Sequence, residues 1–596
     1  MDNQTTIADI YHFYKAQIEN HLQPLKRLKR RIYHIGTLRL LLFTGMLVVL
    51  WVFRDKDLSI LIAVSFVCLL AFLLLVVYHS RLYKKQAFNE GLIRLFENEL
   101  KALDYDFSAY DGAPEHIDAM HAFSMDLDIF GERSLFQSIN RTVTSFGKET
   151  LINRFKRPFS DKNEILLQQE SIREMKELTT FRHHFYVTGT NAKAVLKNLL
   201  TTDNPSCLSS NRFVKIIIWL VPAVWSLLTT LSILQIIPVS GLFGYFAVSF
   251  FITNLPFKSI QKVLSSVSKT EKNLLTYSKL MALVEHTPFN TTLLKTFRSK
   301  LTESSASLAI KQLSRTIGAL DQRFSLIGIF LNLFYMRDAR QAMKLERWQR
   351  KYSAHLSVWF DALGVIDAFC SFGAFAFNHP DYTYPTLAQT YFEMKGKALG
   401  HPLINRDICV RNDITIPKSK FFLIVTGANM AGKSTFLRTV GVNFLFAGMG
   451  LPVCAESLTV YPAGLFTSLR TADSLIANES YFFAELKRLK MIIDRLDADE
   501  ELLIILDEIL KGTNSVDKQK GSLALIQQLI NKNTCGIIAT HDLLLGSLAE
   551  TFPEHVVNKR FEADIQGDEL SFTYQLREGL AQNMNATFLM KKMGIF

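Results

Sequence analysis

The stretch FFLIVTGANMAGKSTFLRTVG, residues 421–441, decides how the chain is read. An apolar run stops at Gly427, four residues intervene, and Gly432-Lys433-Ser434-Thr435 opens a second apolar segment. This is the pattern G-x-x-x-x-G-K-[ST] between a predicted strand and a predicted helix. The glycines let successive backbone N–H groups curl around phosphates, and the helix N-terminus adds the positive end of its dipole. On this reading Gly427, Ala428, Asn429, Met430, Ala431, Gly432, Lys433, Ser434 and Thr435 bind ATP, with Lys433 on the β/γ-phosphates and Ser434 on Mg²⁺. Two further apolar runs, ELLIILDE (501–508) and CGIIATHD (535–542), read with the first as fully buried strands of a mostly parallel sheet. The end of the first of these puts Asp507 in place to hold Mg²⁺ through its water shell and Glu508 to accept a proton from an attacking water. His541 ends the other, placed to sense or polarise a γ-phosphate. The fold expected here is an α/β P-loop domain.

Outward from this stretch the chain changes character. Its 596 residues imply several folding units, and 48% hydrophobic residues with 46 Phe point to some membrane-embedded sequence. Charged residues still make up 20%, which suits a mainly soluble protein with a few spans. The net charge of +12 fits anionic partners, nucleic acid or anionic lipid, without selecting between them. The 6 cysteines are scattered, with no CxxC and no His at metal spacing, which fits a reducing compartment. The opening MDNQTTIADIYHFYKAQIEN lacks a basic segment followed at once by an apolar core, so a cleaved signal peptide is not expected and the start of the chain is placed in the cytoplasm.

Residues 58–78 contain no charge and, at about 1.5 Å per residue, cover a hydrocarbon core of about 30 Å. Residues 40–53 are short alone, and a buried core helix is the alternative; extended back to Ile35 they suffice, with Arg39 snorkelling toward headgroups. Between the two lies RDKD, of zero net charge, whereas Lys26, Arg27, Lys29, Arg30 and Arg31 precede the pair and Arg81, Lys84 and Lys85 follow it. The positive-inside rule makes this a hairpin entering and leaving from the cytoplasm. Residues 216–237 and 239–257 repeat the logic between Arg212, Lys215 and Lys258, Lys262, although Pro222 and Pro256 leave open a hydrophobic bundle inside a soluble domain. Four spans are expected, and with no internal acid or His they anchor rather than transport. Elsewhere residues 80–212 and 258–395 show helical apolar spacing, as in ILLQQESIREMKELTTF and KQLSRTIGALDQRFSLIGIFLNLF.

Several motifs together resemble one family, the MutS DNA mismatch repair ATPases. GANMAGKST is similar to their Walker A, LDEILKGTNS to their Walker B and following loop, ATHD to their His switch, and ESYFFAEL to their signature segment, with Ser480, Phe482 and Glu485 at matching places. GHPLI (400–404) resembles the entry to their ATPase domain and REGLAQNMNATFLMKKMGI its closing segment, while residues 133–172 and 361–387 resemble the start and end of the MutS core domain. The resemblance implies an ABC-like ATPase in which two subunits sandwich ATP. Ser480 of one chain would then reach the γ-phosphate held by Lys433 of another, making a homodimer, and adenine contacts would fall near Cys409 and Val410.

Hydropathy and the resemblance together organise the chain as follows: an N-terminal cytoplasmic helix (1–34), a first transmembrane hairpin (35–79), a helical linker (80–120), the first part of an all-α core domain (121–212), a second hairpin (213–257), core and lever helices (258–395) and the P-loop ATPase domain (396–596). Departures accompany it. Ala428 and Ala431 stand where Pro and Gly are usual, which is tolerable if Ala431 keeps a negative φ, and Leu510-Lys511 replace a usual Gly-Arg. With no Phe-x-Glu in a suitable context, a mismatch-reading domain is not expected, nor is a C-terminal helix-turn-helix tail. The expectation is a MutS-like ATPase in the cytoplasmic membrane, its ATPase domain in the cytoplasm, coupling Mg-dependent ATP turnover to mismatch-repair-like or structure-directed DNA binding. The alternative is an ATP-driven membrane scaffold or signalling switch without DNA. Basic segments such as KRLKRR (26–31) suit DNA phosphates, but next to a span they suit anionic lipid better.

Overall fold

The computed structural model describes residues 6–52, 58–190, 212–254, 271–322, 325–428, 430–470, 481–511, 513–532, 534–566, 569–582 and 595. The chain divides into two compact units, one of Met1–Asn140, Ile152–Thr179 and Ser371–Phe596, the other of Arg141–Leu151 and Thr180–Cys370.

The strands of the first unit are β1 (Thr386–Leu387), β2 (Met394–Leu399), β3 (Asn412–Ile416), β4 (Phe422–Gly427), β5 (Ser457–Val460), β6 (Gly464–Ser468), β7 (Leu502–Asp507), β8 (Cys535–Thr540), β9 (Val556–Gln566) and β10 (Glu569–Glu578). Six of them form one sheet in the order β10-β9-β4-β8-β7-β6, parallel from β9 to β6, with β10 antiparallel at the edge. Every residue of β4 and β8 is buried, which only a sheet covered on both faces allows. Alternation along the strands separates those faces. Phe422, Ile424, Ile504, Leu506 and Ile538 join a core with Leu489, Ile492 and Leu496 of helix Tyr481–Asp497 and Ile526, Leu529 and Ile530 of helix Ser515–Asn531. On the opposite face Ile505 lies against Gly441 of helix Lys433–Gly448, where an added Cβ would come within 3.4 Å of Ile505 and 2.9 Å of Leu127. These three helices lie on the connections from β4 toward β6, from β6 to β7 and from β7 to β8. A second sheet, β1-β5-β2-β3, is of mixed direction.

The same unit begins with two helices of 46 residues, Ile7–Val52 and Leu58–Leu103. At their polar ends Tyr14 donates to Asn378 Oδ1 (2.7 Å), Asn378 Nδ2 to Glu99 Oε2 (2.7 Å) and Tyr110 to Glu99 Oε1 (2.8 Å), so a buried carboxylate is fully engaged. Toward the other ends polar partners give way to exposed large apolar side chains, among them Leu40, Leu41, Trp51, Phe66 and Leu74. Arg39 marks the change, with its guanidinium 5.5 Å from the Phe72 ring.

Among the described residues four helices are long and apolar enough to cross a membrane: Ile7–Val52, the Ile62–Leu103 part of its neighbour, Arg212–Ile233 and Arg337–Asn378. The last is a core helix, since 83% of its apolar window is buried inside the protein. Val239–Asn254 is uncharged but shorter, 16 residues, and positions 255–257 of the expected span lie outside the described residues.

In the second unit, helices Glu271–His286 and Ala306–Asp321 pack along the Arg337–Asn378 helix around Tyr277, Leu280, Leu313, Ile317, Trp359 and Phe360. Asp367 of that helix accepts from the Thr144 amide (2.8 Å) and hydroxyl (2.6 Å), and burial nonetheless pushes its carboxyl up to about 7. The run KQLSRTIGALDQRFSLIGIFLNLF is not one helix. It breaks, and Ser325 caps a separate helix Leu326–Tyr335 by accepting from the Gly328 amide (3.0 Å).

Candidate active site

In an open parallel sheet, ligands bind outside the carboxyl ends of the strands, where the following loops converge. β4, β8 and β7 are neighbours, with Thr426 opposite Thr540 and Asp507 opposite Ala539. Residues distant in sequence therefore meet at one cavity of about 590 Å³, lined by Ala428, Met430, Gly432 to Thr435, Asp507, Glu508, Lys511 and His541.

The loop after β4 depends on its glycines. Gly427 has φ 152°, and an added Cβ would lie 2.5 Å from the Phe561 carbonyl oxygen; Gly432 has φ 105° and caps helix Lys433–Gly448. The left-handed residue between them is Met430 (φ 68°) rather than Ala431, so alanine is accommodated where a glycine is usual. Asn429 and Ser480 lie outside the described residues.

Lys433 folds back over its own loop and donates to the carbonyls of Gly427 (2.7 Å) and Ala428 (2.9 Å). Ser434 donates to Asp507 Oδ2 at 2.6 Å. Glu508 Oε1 is 2.7 Å from His541 Nε2, and Oε2 is 3.4 Å from Lys511 Nζ. An ionised carboxylate only accepts, so His541 Nε2 carries the proton of that contact, and the Lys433 ammonium 3.2 Å from the same nitrogen makes no hydrogen bond to it. The hydrogen bond from His541, with Lys511 adding to it, holds the Glu508 carboxyl at about 2 despite partial burial. Burial brings the Lys433 ammonium down to about 8, opposed by Asp507 and Glu508. The arrangement offers loop N–H groups and a buried cation to an anion, an oxygen pair (Ser434, Asp507) of the kind hard divalent cations take, and an ionised carboxylate beside them.

Three contributors escape a reading of spacing alone. Glu485, named above only as part of the signature segment, is buried and accepts from the amides of Leu510 (2.6 Å) and Lys511 (3.0 Å). It thereby holds the turn after β7, in which Glu508 (φ 50°) and Leu510 (φ 59°) are both left-handed, so Leu510 adopts the glycine-like conformation its position demands. Tyr574 packs on the loop after β4, its ring 3.0 Å from where a Gly432 Cβ would stand, and Asn412 fixes its backbone by donating to the Tyr574 carbonyl (3.0 Å) and accepting from Leu576 N (2.8 Å). Arg488 donates to the carbonyls of Ala119, His121, Ala122 and Thr467 and to Asp126, tying helix Tyr481–Asp497 to the segment before residue 128. At the far wall Ile408 and Val410 line the cavity. The Cys409 sulfur between them turns toward Gly400.

Residues 423–592 match the sequence profile of MutS domain V. A DNA mismatch repair protein MutS from Thermotoga sp. (strain RQ2) is 33% identical over 219 residues, covering 36% of this chain and 27% of that protein. Its counterpart from Thermotoga maritima is 32% identical over 237 residues (39% and 29%), and a DNA mismatch repair protein MutS 2 from Halobacterium salinarum is 31% identical over 225 residues (37% and 25%). The chain thus spans under a third of the length of these curated relatives.

Proposed function

We propose, from the match of residues 423–592 to MutS domain V, that this chain is a membrane-anchored ATPase of the cytoplasmic membrane that works as a dimer and couples ATP turnover to DNA binding. The observation that carries the reading is the convergence of Lys433, Ser434, Asp507, Glu508 and His541 on one cavity from a glycine loop and two strand ends. Gly427 to Thr435 form the P-loop around the phosphates. Lys433 neutralises their charge, Glu508 takes a proton from the attacking water, and His541 orients that carboxylate and faces the γ-phosphate. Ser434 and Asp507 are the residues to hold Mg²⁺, which when bound offsets the charge of the phosphates. The two apolar helix pairs, residues 35–79 and 213–257, are read as hairpins that anchor the chain with its sheet in the cytoplasm.

DNA binding is supported by the family and by the net charge of +12. Its test is titration of duplex and branched DNA into the detergent-solubilised chain at two salt concentrations, with and without MgATP. Binding that falls steeply with salt, as release of counterions from phosphates requires, is the expected result. MgATP turnover without DNA binding in either nucleotide state would favour the second reading, an ATP-driven membrane scaffold. Failure to retain MgATP at all would remove the ATPase assignment itself.

A further inference from the structure

The second unit carries a groove of about 560 Å³ between helices Ala306–Asp321 and Arg337–Asn378 that is far from neutral. Arg315, Lys344, Arg347 and Lys351 line it beside Trp348 and Tyr352, and no acid does. All four cations are exposed. Lys344, Arg347 and Lys351 recur on one helix face, where like charges repel unless an anion lies between them. Glu346, the acid nearest in sequence, is buried and pairs with Arg350 at 2.6 Å. The aromatic floor is fixed, since Trp348 donates to the Ala309 carbonyl at 2.8 Å.

The position of the groove selects among anions. The helix that carries it follows Leu326–Tyr335, whose Leu326 and Ile327 are 78% and 72% exposed. That short helix is docked on both apolar helices of the second pair, because the Leu333 carbonyl accepts from Trp225 Nε1 (3.2 Å) and Ser249 Oγ (2.6 Å). Next, Arg340 donates to the Ile218 carbonyl (2.9 Å) and sits 5.0 Å over Trp219, one to two turns from the basic end of that apolar helix at Arg212 and Lys215. At about 1.5 Å per residue, Lys344 to Lys351 lie roughly 6 to 17 Å farther along the helix from Arg340. Headgroups begin where the apolar side chains end, so the first cations fall at headgroup depth and the others within about one or two screening lengths of it.

We propose that this groove binds the phosphate headgroup of an anionic phospholipid. The exposed Leu326–Tyr335 face supplies the acyl-chain contact and the four cations the phosphate contact, a combination that neither free phosphate nor DNA exploits. The inference rests on the anchoring reading above.

The test uses the full chain purified in neutral detergent, titrated with phosphatidylglycerol or phosphatidylcholine, with bound lipid counted by native mass spectrometry. Phosphatidylglycerol is expected to be retained about tenfold more than phosphatidylcholine, and a variant with Arg315→Gln, Lys344→Gln, Arg347→Gln and Lys351→Gln to lose most of that preference. ATP turnover of the variant serves as the check of folding, and the milder Lys344→Gln, Lys351→Gln pair replaces it if that turnover is lost. Unchanged preference in a folded variant would overturn the proposal. So would inorganic phosphate binding as tightly as the lipid, or a duplex oligonucleotide binding the wild type but not the variant in the absence of any lipid preference. Alkaline extraction of membranes separates the two readings: a chain released into the soluble fraction overturns the anchoring, whereas an integral chain with unselective lipid retention overturns only the groove.

Discussion

At Lys433, burial and the proposed phosphate contact oppose each other. Its ammonium has a pKa of about 8, below the ordinary 10.5, because burial penalises the charge. If nucleotide binds the charged form, affinity is flat below pH 8, where the ammonium is present. Above pH 8 it weakens by up to about tenfold per unit, because binding must first take up a proton. Calorimetry at pH 7, 8 and 9, repeated in buffers of different ionisation enthalpy, reads both the affinity and the proton; a Lys433→Ala variant with unchanged affinity and the same pH profile would remove Lys433 as the phosphate contact. Glu508 behaves oppositely. Its carboxyl is depressed to about 2, so what the ionised form contributes is complete above the ordinary 4.5 and is lost only as pH falls toward 2. A decline of turnover between pH 7 and 5 therefore belongs to other groups. Glu508→Gln is expected to keep MgATP binding and lower turnover by about 10²–10⁴-fold, the usual range for a lost general base. Wild-type turnover in that variant would dismiss Glu508 from the role.

At the scale of elements, the turn after β7 is strained in two places and held from outside by Glu485. Glu485→Gln replaces one of two accepting oxygens by a donor facing a backbone N–H, at a cost of about 1–3 kcal/mol for the unsatisfied group. The expected result is a lower turnover number with nucleotide affinity little changed, read from steady-state kinetics beside equilibrium binding; equal loss of both would mean a broader collapse of the site. The same turn shows what a sequence does and does not disclose. β4, β7 and β8 are legible because strands buried on both faces are continuous apolar runs, and their neighbouring order makes Lys433, Asp507, Glu508 and His541 converge. The partnership of Glu485 with Leu510 and Lys511 is not legible, since it joins a helix to a turn by backbone amides, which carry no side-chain signature. Leu326–Tyr335 hides for another reason. Its apolar residues continue the helical period of the preceding segment, and among the described residues the cap at Ser325 marks the division. Tyr574 is hidden too, because its place over Gly432 is set by the break in β9–β10 register between Phe572 and Leu576 and by Asn412.

For the whole molecule, the proposed sandwich makes a prediction that a self-contained site does not. If Lys433 of one chain works with Ser480 of its partner, then Lys433→Ala and Ser480→Ala are each inactive alone, since every site in either homodimer lacks one member. A mixed dimer differs. One of its sites lacks both residues, but the other pairs an intact Lys433 with an intact Ser480. Random mixing gives half mixed dimers, each with one working site of two, so co-expression of the two inactive chains in one membrane should restore about a quarter of wild-type turnover. If the helix pairs anchor the chain as proposed, the experiment is favoured, because confinement to the bilayer raises the effective concentration of one chain at the other. Each chain alone inactive and the co-expressed pair equally inactive, with mixed dimers verified by two affinity tags, would place Ser480 and Lys433 in the same chain's site and dissolve the sandwich.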